Sequence, residues 1–278
     1  MKYLKINFLT LLSVLLFWNG TIPNESLTNK DVPQASYSFA IVPQFHSQSL
    51  FRIWNPILKE LSKETGIKFK LTGNSSFVNF EKDLAEGKYD FAYVNPYHAV
   101  MAGKKQKYEA ILSDSKKQVQ GILVVKRDAS SKVNQLKGKQ VAFPSPNTLA
   151  SSILMRSELK NKFKIQVKPE YMKTHTDVYM KVYQGNYQAG GGVESTFSKL
   201  SPRIKNALKI VHRTEKIPSH PIIVSSEIPA DIRKKVINAF IKMGKNPSTK
   251  ALLQKIPVDN MSKTSQSVYK NIMFTAGL

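Results

Sequence analysis

The chain is 278 residues long and carries 42 Lys and Arg against 19 Asp and Glu, a net charge of +23, with no cysteine. The lack of thiols excludes disulfides, zinc–thiolate sites, cysteine nucleophiles and the acylated cysteine that tethers many exported binding proteins. The positive charge is nearly all lysine, scattered along the chain without a dense basic block or an RNA-binding motif. It reads as a solvated surface whose field favours anions, and not as a nucleic-acid interface.

Residues 1–5 are basic and are followed by an apolar run at 6–18 that ends at Asn19-Gly20. That pattern predicts a secretory signal over residues 1–20, because a spanning helix needs about 20 apolar residues. Cleavage is expected within 20–26. An uncleaved N-terminal anchor is the alternative, since no A-x-A site follows. Residues 21–36 are polar, with Pro23 and Pro33, and predict a flexible lead-in.

Order is expected from 38–43 (Ser-Phe-Ala-Ile-Val-Pro), an apolar strand bounded by proline. Trp54, Ile57, Leu58 and Leu61 then recur at helical spacing, with Gly66 placed for the C-cap. A strand at 67–72, a helix carried by Phe77, Phe80 and Leu84 and stopped by Gly87, and a buried strand at 89–94 follow. The same grammar restarts later: strand 139–143, helix 147–159, strand 165–171, helix 176–183 closed by Gly185, strand 187–191. The junctions at 84–89 and 182–187 share a helix end, a glycine, one residue and a tyrosine that opens a strand. Such alternation with short connections predicts α/β architecture with mostly parallel sheets flanked by helices.

Apolar strands at 121–126 and 221–225 stand where the pattern changes and are read as the paired crossings of a hinge. Helices at 230–243, 249–255 and 262–274 complete the first lobe. The expected organisation is two lobes, 37–126 with 222–278 and then 127–221. Their ligand would bind in the cleft beyond the carboxyl ends of the strands.

No G-x-S-x-G, H-E-x-x-H or P-loop occurs, and no two of the five histidines are spaced i,i+4. Neither a catalytic set nor a metal or other cofactor is therefore expected. Gly190-Gly191-Gly192 lacks a nucleotide fingerprint and reads as a bend or a close backbone approach. Residues 143–152 (Phe-Pro-Ser-Pro-Asn-Thr-Leu-Ala-Ser-Ser) do carry binding chemistry. They predict a strand, a turn held by two prolines, and a helix start capped by Asn147 or Ser145. The first N–H groups of such a helix have no internal partner and suit a compact anion, although an ordinary cap has the same pattern.

Taken in order, several segments resemble the periplasmic phosphate/phosphite/phosphonate-binding proteins of ABC importers, which have the two-lobed type II periplasmic-binding fold. Residues 54–61 (Trp-Asn-Pro-Ile-Leu-Lys-Glu-Leu) are similar to that family's first helix. Residues 87–96 resemble the strand at its first-lobe cleft, and 138–152 its second-lobe anion loop. Residues 174–177 and 217–224 resemble its later cleft and hinge motifs, so the likeness covers about 38–255.

The resemblance implies a binding set of Phe77, Tyr93 and Asn95 on the first lobe and a nest of Asn147, Thr148, Leu149, Ala150, Ser151 and Ser152 on the second. His175, Glu194 and His220 complete it. Phe77 stands where a tyrosine is usual, and Thr148-Leu149-Ala150 replaces a Ser-Thr-Ser run. His220 replaces an aspartate that meets a ligand amine, which disfavours an aminoalkylphosphonate. On the residues alone, Phe77 and Tyr93 read equally as core, His175 as a solvated helix-start residue and His220 as a turn residue.

The function implied is periplasmic capture of a small oxyanion by a monomer that closes and docks on an inner-membrane ABC permease, without catalysis. A sensory module feeding a membrane kinase uses the same fold, and pyrimidine-synthase relatives use a cysteine-rich motif that this chain lacks. If His175 or His220 binds as a cation, affinity should rise as pH falls from about 8 to 5.

Overall fold

Strands buried on both faces read as unbroken apolar runs, and the first such run forms an interior strand of a sheet. In the computed structural model, which describes residues 36–129, 132–256 and 258–275, β1 (Ser36–Ile41) lies between β2 (Lys68–Gly73) and β3 (Phe91–Tyr93), parallel to both. The proposed signal and nearly all of the lead-in fall outside the described residues. Between β1 and β2 runs α1 (Ser47–Thr65), which buries Leu50, Trp54, Ile57, Leu58 and Leu61. It ends at Gly66, whose φ of 70° is the left-handed C-cap that only glycine adopts freely.

Next come α2 (Phe77–Ala85), capped by the Ser76 hydroxyl, and α3 (Pro96–Gln106), capped by Asn95. The chain then forms β4 (Glu109–Asp114) and passes to a second sheet with β5 (Gln118–Lys126). That sheet continues with β6 (Gln140–Phe143), a widened helical segment at Leu149–Leu154, α4 (Met155–Asn161), β7 (Lys168–Tyr171), α5 (His175–Tyr183) and β8 (Ala189–Val193). The short helices α6 (Glu194–Phe197) and α7 (Pro202–Ala207) lead into β9 (Leu208–Pro218). The return strand β10 (Ile222–Val224) re-enters the first sheet, followed by α8 (Ala230–Lys245), α9 (Pro247–Leu253), β11 (Met261–Lys263) and α10 (Gln266–Thr275).

The first sheet has the order β11-β4-β10-β3-β1-β2 and the second β7-β6-β8-β5-β9. The two strands expected as hinge crossings are interior strands. β5 lies between β8 and β9, antiparallel to both, and β10 lies likewise between β3 and β4. The passages from sheet to sheet are the turns at 115–117 and 219–221. They are stitched side by side: the Ser219 hydroxyl accepts from the Asp114 N–H at 3.0 Å and donates to the Asp114 carbonyl at 2.9 Å. The Asp114 carboxylate adds bonds from the N–H groups of Lys116, Lys117, Asp259 and Asn260. Burial pushes its pKa up, but these donors outweigh that and hold it below the usual carboxylate range.

Each sheet is covered on both faces. Phe39 and Phe91 stack at 6.0 Å in the first core, and Trp54 sits 5.1 Å from Tyr93. Along β5 the side chains alternate with period two. Leu123 and Val125 pack with Phe143, Met155 and Leu159, while Ile122 and Val124 pack with Tyr179 and Val182.

Three further expectations are corrected. The sheets are mixed and not mostly parallel, with β1–β2, β1–β3, β6–β7 and β6–β8 parallel and the remaining pairings antiparallel. The helix read at 147–159 opens as a wide turn, because the N–H groups of Ser152 and Ile153 both donate to Thr148 O, at 3.0 and 3.1 Å. The helix read at 262–274 divides into β11 and α10.

Candidate functional site

β1, β3 and β6 all point their carboxyl ends at one place between the sheets, where open α/β sheets bind ligands. A narrow cavity of about 10 Å³ lies there, room for about one water molecule between its walls. From the first sheet it receives Val42 and Gln44 beyond β1, Phe77 at the start of α2, and Asn95 and Pro96 beyond β3. From the second it receives Val119 of β5, Thr148, Leu149, Ala150 and Ser151 beyond β6, His175 at the start of α5, Val193 and Ile217. His220, in the passage between sheets, closes it. No lining side chain is a lysine, arginine, aspartate or glutamate.

The widened helix start is built by its neighbours. A Cβ on Gly121 would overlap the Ala150 carbonyl oxygen, and one on Gly191 would overlap that of Ser151. Only glycine at these positions lets the segment lie directly on β5 and β8, which is the close backbone approach expected of the glycine run. Among the described residues no acceptor meets the N–H groups of Leu149, Ala150 or Ser151. They present the positive end of the continuous helical stretch that runs on through α4.

Several buried side-chain atoms on the lining residues also have no partner: Ser151 Oγ, His175 Nδ1 and His220 Nδ1. Each such group costs about 1–3 kcal/mol if left without a hydrogen bond. Gln44 Nε2 is 3.4 Å from His220 Nε2. With that amide donating, the neutral ring carries its proton on Nδ1 and offers a donor. Burial pushes the His175 imidazole down to about 3, with His220 adding to the effect. Burial does the same to His220, also to about 3, with His98 adding. Without a bound anion burial thus disfavours the cationic form of both rings, so the protein alone does not supply the charge on which the pH expectation was conditional.

Of the residues expected in the site, Phe77, Asn95, Thr148, Leu149, Ala150, Ser151, His175 and His220 line the cavity. Phe77 is wall, its ring edge-to-face with His175 at 6.0 Å. Asn95 caps α3 through Oδ1, which accepts from the His98 N–H at 3.0 Å, and only its NH2 remains to donate. The Thr148 hydroxyl donates to the Ser145 carbonyl, which leaves its oxygen as an acceptor.

The others sit elsewhere. Tyr93 is core behind the site, between Trp54 and His220. Ser152 is buried beside the nest without lining the cavity. Asn147 turns its amide away to Glu81, with Nδ2 2.7 Å from Oε2. Glu194 is half exposed outside the cavity and pairs with Arg213 at 3.0 Å. Gln44 and Glu81 were missed. Gln44 was legible as a polar residue just past the carboxyl end of the first strand, whereas Glu81, mid-helix beside Lys82, looks like surface.

Two α/β sheets joined by two adjacent passages, with an oxyanion-suited cavity between them, define the class of type II periplasmic-binding proteins. The family model described as ABC transporter, phosphonate, periplasmic substrate-binding protein matches residues 39–269, and the chain belongs to that family. It is 20% identical over 239 residues to the phosphonates-binding periplasmic protein of Escherichia coli, covering 80% of this chain and 70% of that one. It is 21% identical over 199 residues to the phosphate-import protein PhnD of Mycolicibacterium smegmatis, covering 65% of this chain and 62% of that one.

Among solved structures, it is similar to a binding protein component of an ABC phosphonate transporter from Pseudomonas aeruginosa. The TM-score is 0.79 at 18% identity, over 86% of this chain and 84% of that one. It is also similar to PhnD1 from Prochlorococcus marinus, solved in complex with methylphosphonate, with a TM-score of 0.77 at 17% identity over 87% and 97% of the two chains. At these identities the structural likeness establishes the fold. Membership of the family makes the protein a substrate-binding component of an ABC transporter, a periplasmic class.

Proposed function

We propose that this protein captures a small oxyanion of the phosphonate, phosphite or phosphate kind in the cavity between its two sheets and delivers it, as a monomer, to an inner-membrane permease, with no reaction of its own. The two sheets act as lobes that close on the ligand about the turns at 115–117 and 219–221. The observation that carries this reading is the set of buried hydrogen-bonding groups without partners around one cavity: Ser151 Oγ and Nδ1 of His175 and His220, beside the free N–H groups of 149–151.

In the proposed site the backbone N–H groups meet the oxyanion. His175 and His220 donate to further oxygens, and the Asn95 amide completes the polar wall. Phe77, Val119 and Ile217 give the wall an apolar side for a small apolar substituent to face. No carboxylate lines the cavity to meet an amine, which supports the expectation that an aminoalkylphosphonate is disfavoured. The relatives whose names mention phosphonate, phosphate import and a methylphosphonate complex support the same ligand class.

Residues 1–20 are proposed as the cleaved export signal, so the mature protein is expected in the osmotic-shock fraction; recovery only in membranes at full length would refute that. Calorimetry with methylphosphonate, phosphite, phosphate, 2-aminoethylphosphonate, glycine and glucose tests the ligand class. Saturable binding within the first three, and weaker binding of 2-aminoethylphosphonate, is expected. Binding of glycine or glucose with none of the oxyanions would overturn the assignment.

A further inference from the structure

Glu81 lies in the middle of α2 on the first lobe, and neither capping nor its own helix uses its carboxylate. Instead it reaches across the gap between the sheets. Oε1 accepts from the Ser145 hydroxyl at 3.0 Å, and Oε2 accepts from the Asn147 amide at 2.7 Å. From its own side, His98 Nε2 on α3 stands 3.0 Å from Oε1. Ser145 and Asn147 are the turn that immediately precedes the unpaired N–H groups of 149–151, and the Ser145 hydroxyl also accepts from the Asn147 N–H at 3.2 Å. One carboxylate thus holds both side chains that shape the anion-presenting turn.

Burial raises the Glu81 pKa, but the bonds from His98, Asn147 and Ser145 outweigh it, and the carboxyl stays below its usual range as a charged acceptor. Other polar contacts span the gap as well. Lys199 Nζ donates to the Lys255 carbonyl and stands over the Phe45 ring, away from the anion-presenting turn. Two more are longer: Asn95 Nδ2 is 3.5 Å from the Asn147 carbonyl, and His46 is 3.6 Å from Asp177 with an exposed ring. Charge-assisted bonds of the Glu81 kind are about twice as strong as neutral ones.

We propose that Glu81 is a positioning residue for capture: a first-lobe carboxylate that grips the Ser145–Asn147 turn of the second lobe, holds the cleft closed and aims the anion-binding N–H groups. The inference rests on the clamp reading given above. Glu81 does not line the cavity, so it acts on the ligand only through the turn. Because the grip exists only when the lobes meet, its loss destabilises the closed form and leaves the open form untouched. It therefore speeds ligand release and spares the association rate.

Two measurements on the full mature chain test this. The first is stopped-flow binding of methylphosphonate to the wild type, Glu81→Ala, Asn147→Ala and the double variant. Each single change is expected to raise koff by about tenfold or more, the loss typical of hydrogen bonds to a charged group. The double should go little further than the worse single, because both remove one shared contact. The second uses the absence of cysteine, which makes site-directed labelling clean. With spin labels introduced through Lys59→Cys and Lys181→Cys on the two lobes, Glu81→Ala should deplete the short-distance population measured without added ligand.

An unchanged koff, strictly additive effects, or an identical distance distribution would overturn the proposal. Failure of the wild type to bind any oxyanion would sink the function reading instead. The distance measurement then decides the grip by itself.

Discussion

Replacing His175 by alanine separates binding from folding. If its ring donates to a charged ligand, the lost bond contributes about 1.5–3 kcal/mol, which is about a 10- to 150-fold rise in Kd. The same ring is buried with Nδ1 unpartnered, a desolvation cost of about 1–3 kcal/mol that the substitution removes. Against this stands the loss of its packing, including the edge-to-face contact with Phe77, which contributes about 0.5–1.5 kcal/mol. The two stability effects are opposed and of similar size, so the urea midpoint should move little while affinity collapses. His212→Ala should behave in the opposite way. Its Nε2 is 2.6 Å from Glu158 Oε2, away from the cavity, so stability falls by about 1–3 kcal/mol and affinity holds. Calorimetry with methylphosphonate beside urea unfolding gives both numbers. An unchanged Kd for His175→Ala in a protein that binds methylphosphonate would refute the role given to this ring.

Gly121→Ala should weaken both stability and anion binding, because the new Cβ overlaps the Ala150 carbonyl and stands 2.9 Å from Thr214 Cγ2; overpacking of this kind costs about 1–3 kcal/mol, and unfolding with calorimetry checks it. Affinity for an oxyanion of constant charge should fall as pH drops from about 7 to 5. In the ligand-free cavity burial holds both imidazoles near 3, so rings that stay neutral beside the anion must shed any proton gained when the lobes part, and a rise in affinity over that range would show instead that the anion holds them as cations. Asp114 has a lowered folded pKa, so its contribution is complete above the ordinary carboxylate pKa of about 4 and is lost as pH falls below that; Asp114→Asn should lower stability at pH 7 and flatten the acid limb of the stability profile.

What the sequence made legible was whatever depended on burial on both faces or on a single backbone signal. The apolar runs that became β1, β3, β5, β6 and β10, and the glycine after α1, followed directly from periodicity and turn chemistry. α3 was missed because its apolar residues form no single stripe; its signal was Asn95-Pro96, a cap followed by a first-turn proline. β9 was missed because it is an edge strand, Leu-Lys-Ile-Val-His-Arg-Thr-Glu-Lys-Ile-Pro, whose lysines suit an unpaired edge and hide the strand pattern.

In the site, the 148–151 turn, read from its local sequence, and His175, implied by the resemblance alone, both line the cavity. Those whose role depends on partners distant in the chain do not. Nothing local to Asn147 shows that Glu81, 66 positions away, takes its amide. Nothing local to Glu194 shows that it pairs with Arg213 outside the cavity.

The central claim is that the unpaired N–H groups of Leu149, Ala150 and Ser151 hold an oxyanion. Amide proton shifts of 15N-labelled protein titrated with methylphosphonate, phosphite and phosphate test it directly. On saturation with whichever of these binds, the amide protons of Leu149, Ala150 and Ser151 should move strongly downfield as they gain a charged acceptor. Those at the start of α8, which lies away from the cavity, should stay in place. Saturable binding that leaves the three resonances unmoved would contradict the account.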